Sequence, residues 1–83
     1  MRIITNEMIN NFKIYLYEEE RSENTIEKYL RDIRMFWQCV GRKDLQKSDV
    51  LEYKIKLCES YAPRSVNSML SSINAFFLLF LTS

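Results

Sequence analysis

The chain has 83 residues, 47% of them apolar and 13% aromatic, and its 12 Lys+Arg against 11 Asp+Glu leave a formal charge of +1. A single glycine, Gly41, and a single proline, Pro63, supply too few turn formers for an all-β fold, while a chain this short buries only about 60% of its unfolded surface and has a slim margin of stability. The absence of histidine removes His-based acid–base chemistry and imidazole zinc sites, and one glycine cannot build a phosphate-cradling loop.

No basic stretch followed by an apolar run opens the chain, so no signal peptide is expected. Cys39 and Cys58 lie far apart and outside any C-x-x-C arrangement. Two free thiols in a helical core fit a cytoplasmic protein. No catalytic residue, cofactor or metal site of its own is expected.

Four amphipathic segments follow in chain order. The first is expected over about 6–20, where Met8, Ile9, Phe12 and Leu16, flanked by Tyr15, recur at helical spacing and Thr5 is a plausible N-cap. Glu18, Glu19 and Glu20 face the negative end of that helix dipole, which predicts fraying, and Arg21-Ser22 makes the break. The second is expected over 23–40. Ser22 and Asn24 can both cap it, with Glu27 completing a capping-box pattern from Asn24, and Gly41 is placed to stop it in a left-handed conformation.

Arg42-Lys43-Asp44 is a polar connection. The third segment is expected over 48–59, capped by Ser48 and carrying Val50, Leu51, Ile55 (or Tyr53) and Cys58 on its apolar face. Pro63 suits the first turn of the fourth, expected over 63–81, because its missing amide hydrogen is not needed there. Short connections between such helices predict an all-α, compact four-helix bundle in one domain.

The faces of the second and fourth segments carry the functional signal. At about 100° per residue, Ile26, Tyr29, Leu30, Ile33, Phe36, Trp37 and Val40 form one arc of the second, opposite Asn24, Lys28, Arg31, Met35 and Gln38, with Arg34 at the edge. In the fourth, Val66, Leu70, Ile73 and Phe77, with Met69 and Phe80 beside them, oppose Arg64, Asn67, Ser68, Ser71, Ser72 and Ala75, and no acidic residue follows Glu59. Serine and asparagine are poor helix formers. On an exposed face they let a backbone approach a partner closely and donate to phosphate oxygens, and missing carboxylates remove repulsion from a polyanion. Close helix–helix packing is the other use of such small residues.

Cations also concentrate on these parts: residues 22–47 hold six Lys/Arg against four Asp/Glu, and 62–83 hold one against none. The run from Ala75 to Leu81 is apolar all round and too short to span a membrane, which takes about 20 residues. Leu78, Leu79 and Leu81 therefore call for cover by a partner chain or a following domain. A helical protein–protein module that self-associates or docks a partner through this end is the alternative to nucleic-acid binding, and the chain reads as a domain excised from a larger protein.

The stretch Ser22-Glu-Asn-Thr25-Ile-Glu-Lys-Tyr29-Leu-Arg-Asp32-Ile33-Arg-Met-Phe36 resembles the S-x-N-T-x-x-x-Y-x-x-D-L-x-x-F stretch of phage-integrase-type tyrosine recombinases. The stretch from Ala62 through Arg64, Ser65, Asn67, Leu70 and Ile73 to Phe76 resembles their S-x-x-T-x-N-R-x-L-S-A-L-R-x-F, and Leu45-Gln-Lys-Ser48-Asp49-Val50 is similar to their L-x-x-I-T-x-x-D-V helix start.

The resemblance covers nearly the whole chain. It implies the N-terminal core-binding domain, a four-helix SAM-like bundle that forms half of a clamp on double-stranded DNA. A catalytic domain of the same parent chain forms the other half, and further recombinase protomers join a synaptic complex. By position it implies DNA contacts from Asn24, Thr25, Lys28 and Arg31 on the second helix and from Arg64, Ser65, Asn67, Ser68 and Ser71 on the fourth. Ser65 stands where the family often has threonine, and Ser68 where it often has arginine. The tyrosine nucleophile would lie in the catalytic domain, leaving Tyr29 and Tyr53 as core or core-edge residues.

Overall fold

The computed structural model describes residues 3–41 and 46–80, the side chain of Lys47 excepted. The Arg42-Lys43-Asp44 connection, Leu45 and Leu81 lie outside the described residues. Four helices account for almost all of it: α1 (Asn6–Glu18), α2 (Glu23–Val40), α3 (Lys47–Ser60) and α4 (Pro63–Phe80). The α2–α4 pair makes the most extensive contact, α1 and α3 each pack against both of its members, and among the described residues nothing joins α1 to α3. No described helix is long and apolar enough to cross a membrane.

Local chemistry sets the helix ends. The Thr5 hydroxyl accepts the Met8 N–H at 3.2 Å, and the Ser22 hydroxyl accepts the Thr25 N–H at 3.2 Å, so Ser22 rather than Asn24 caps α2. The α3 start differs from the expected Ser48 cap. Gln46 is the cap residue and Ser48 is inside the helix, because the buried Asp49 carboxylate, three residues on, reaches back to accept the Gln46 N–H at 2.7 Å. From the first helical position Asp49 would have no such amide within reach.

The acidic end of α1 is closed rather than frayed. Arg21 N–H donates to the Leu16 carbonyl at 3.2 Å and Glu20 N–H to the Tyr17 carbonyl at 3.0 Å, the double bond pattern of a Schellman motif. This requires a left-handed residue, and Glu20 takes it at φ 56°. Gly41 ends α2 at φ 73°, ψ −161°, a region open to glycine rather than the ordinary left-handed well, with its N–H on the Trp37 carbonyl at 2.9 Å.

The two positive-φ sites predict opposite results in urea unfolding. Glu20→Gly should stabilise by about 0.5–1 kcal/mol by relieving the Cβ penalty. Gly41→Ala should destabilise by about 1–3 kcal/mol although nothing lies within 4 Å of the added methyl, because the cost is in the backbone.

The core is aromatic. Phe12 of α1 meets Phe76 of α4 edge-on at 5.3 Å, while Phe36 of α2 meets Tyr53 of α3 at 5.0 Å and Phe77 of α4 at 5.8 Å. Three expectations about burial are corrected. On α3, Tyr53 and Leu57 are buried, while Leu51, Ile55 and Cys58 are exposed. Cys39 is exposed as well, so both thiols are free but neither is in the core. On α4 the buried arc reaches round to Phe76 and Ser72, the side that faces α2, and Leu79 is half-buried against the core while Leu78 stays exposed.

Candidate nucleic-acid interface

Where α2 and α4 pack, a polar clasp joins them. Asp32, one turn after Lys28, is only 2% exposed. Its Oδ2 accepts from Lys28 Nζ at 2.8 Å and from the Ser72 hydroxyl at 2.7 Å. Lys28 Nζ also donates to the Ser68 carbonyl at 2.8 Å and to Ser72 Oγ at 3.1 Å. Ser72 must be small to let the helices close on this pair, which explains one of the serines of α4 by packing and hydrogen bonding rather than by an outside partner. The clasp also fixes the register of α2 against the first half of α4.

A groove of about 570 Å³ lies beside the clasp. Arg31 from α2 and Arg64, Ser65 and Ser68 from α4 line it together with Lys28, and Met35, Met69 and Tyr61 give it an apolar floor. Five of the nine residues expected to meet DNA thus share one concave surface. Lys28 is the least available of them, since its ammonium is already divided among Asp32, Ser68 and Ser72. Arg31, Arg64, Ser65 and Ser68 are exposed.

The other four do not line the groove. Asn24 is exposed on the first turn of α2, and half-buried Thr25 accepts a hydrogen bond from the Ser22 hydroxyl at 2.9 Å. Asn67 is exposed, and the Ser71 hydroxyl donates back to its carbonyl at 2.9 Å. Arg34 lines a separate hollow between α1 and α2 with Lys13, Glu23 and Glu27, so carboxylates offset its charge there.

Asp32 and Tyr61 escaped the sequence-based assignment of this surface, and Ser72, expected on the outward face of α4, is instead buried in the clasp. Asp32 had a signal: an i,i+4 Lys–Asp pair with the aspartate on the core flank. Tyr61 had none, because its place depends on how the chain turns from α3 into α4.

The family model for the phage integrase N-terminal SAM-like domain matches residues 9–82. The chain belongs to that family, which sets it in the context of the site-specific tyrosine recombinases. Comparison with curated proteins and with solved structures returned no match.

Proposed function

We propose that this chain is the core-binding domain of a tyrosine recombinase, which holds duplex DNA at the recombination site while a separate catalytic domain of the parent chain carries out strand exchange. One observation carries this proposal: the α2–α4 groove gathers Arg31 and Arg64 with serine hydroxyls, and the single carboxylate lining it among the described residues, Asp32, is already neutralised by Lys28. Arginine and hydroxyl donors fix a protein on phosphate oxygens, and a surface without free carboxylates does not repel them. With so few cations, binding by this domain alone should be weak and steeply salt-dependent.

NMR titration with duplex DNA tests it. Amide shifts are expected along the outward faces of α2 and α4. Arg64→Ala should leave the fold intact, weaken binding and lower the slope of log K against log salt by about 1. Shifts confined to other surfaces, or binding that persists unchanged in high salt, would overturn the proposal.

The exposure of Leu51 and Ile55 on α3 and of Leu78 on α4, at 58%, 54% and 66%, favours a second function, contact with another protein or another copy of the chain. Concentration-dependent shifts at those residues without DNA present would identify it in the same experiment.

A further inference from the structure

The groove beside the clasp does not end at the α2–α4 pair. Met35 and Tyr61, which form part of its floor, also line a second depression of about 280 Å³ between α2 and α3. The two depressions therefore adjoin at these shared side chains, which form the waist of a single furrow-like face. Arg31 and Arg64 stand at one end, and Gln38, Ser60 and Lys56 at the other. Among the described residues Asp32 is the only carboxylate that lines either depression, in a chain that contains 11 Asp+Glu.

The far end is electrostatically suited to an anion. Lys56 Nζ spends itself on one long contact, 3.7 Å to the Cys39 sulfur, which leaves an exposed ammonium. Tyr53 adds no negative charge near neutral pH, as any phenol of ordinary acidity would not, and burial pushes it further up to about 12. Tyr61, at 44% exposure, offers a hydroxyl donor at the waist. Lys56 also lines a neighbouring depression, which it shares with Asp49 and Glu52. Lys56 thus stands at the border between a lining poor in carboxylates and one that carries them.

We propose that α3 takes part in the DNA interface: the sugar–phosphate backbone of the duplex runs the length of this furrow, and Lys56 contacts a phosphate beyond those held by Arg31 and Arg64. The proposal rests on the function given above and extends it to a third helix. A lysine suits this position because a compact charge on a flexible stem can follow a phosphate without the fixed fork that arginine needs. Tyr61 supplies a neutral donor between the charged ends, and Gln38 another beside Lys56.

Fluorescence anisotropy of labelled duplex DNA with the whole chain, across a salt series, tests it. Lys56→Gln should weaken binding a few-fold and lower the salt slope by about 1. Lys54→Gln is the matched control: it removes the same charge from the same helix, but Lys54 lines a different hollow, with Val50, Leu51, Leu70 and Asn74. Its slope should equal that of the unaltered protein. Equal effects of the two substitutions would overturn the proposal, since charge would then act without regard to place. If Arg64→Ala lowers the slope and Lys56→Gln does not, the extension to α3 fails and the α2–α4 interface stands. No binding by the unaltered chain, or no effect of Arg64→Ala, would overturn the underlying function itself.

Discussion

Phe36→Ala should come close to unfolding the protein. The ring is fully buried and packs edge-on against Tyr53 of α3 and Phe77 of α4, so it ties three helices together. Truncating such a phenylalanine costs about 3–5 kcal/mol, as lost transfer energy plus the cavity left behind. At about 0.05–0.15 kcal/mol per residue, a chain of 83 residues has about 4–12 kcal/mol in all. Urea unfolding followed by circular dichroism should therefore show a much lower midpoint, with no transition at all where the total lies at the low end of that range. The same measurement ranks the two apolar stripes of α3. Leu57→Ala should cost about 2–5 kcal/mol, whereas Leu51→Ala and Ile55→Ala should stay within about 0.5 kcal/mol. A reversed order would mean that α3 packs on its other face.

Lys28→Met is expected to cost about 3 kcal/mol. Methionine keeps most of the stem but removes the ammonium, and the Asp32 carboxylate, 2% exposed, is then left with the Ser72 hydroxyl as its one side-chain partner among the described residues. Removing one member of a buried ion pair costs about 3–5 kcal/mol. The low end applies here, because the Lys28 side chain is 29% exposed and water can reach the gap. Lys28→Met combined with Asp32→Leu should regain most of the loss, giving a coupling energy of about 2 kcal/mol in a double-mutant cycle. Ser72 then retains the Ser68 carbonyl at 3.5 Å as an acceptor. Additive single effects would show that the clasp holds nothing together.

How much of this was legible in the chain differs by element. Thr5, Ser22 and Pro63 marked helix starts correctly because capping is chemistry within three or four residues. Gly41 marked an end, though its ψ of −161° departs from the simple left-handed stop. The Schellman turn at Glu20 was not legible, since glutamate is an unlikely occupant of a positive-φ site and only the bonds to Tyr17 and Leu16 reveal it. On α3 two stripes at the same period competed: Leu51 with Ile55, and Tyr53 with Leu57. By hydrophobicity alone the leucine–isoleucine pair looks more like core. Phe36 and its neighbours decide otherwise, because the aromatic ring of Tyr53 fits against them.

The candidate interface divides in the same way. Arg31 and Arg64 were visible as outward cations on two separate helices, and Lys28 looked equivalent to them. Only the packed structure shows that Lys28 points its charge inward to Asp32, that Ser72 is an internal ligand of that pair, and that Lys56 of α3 stands on the same furrow as the two arginines.

The amino-acid sequence by itself determined that this is an all-α chain of four helices and which faces of the second and fourth carry cations and small polar side chains. It also carried the motif order of the phage integrase N-terminal family. These follow from period, capping and composition, all of which act within a few residues. The tertiary structure alone decided which stripe of α3 is core, which lysine is spent inside and which stands exposed, and where separate polar faces join into one furrow. Those outcomes depend on residues up to 44 positions apart, as in the Lys28–Ser72 contact, and no local pattern encodes how helices rotate to meet.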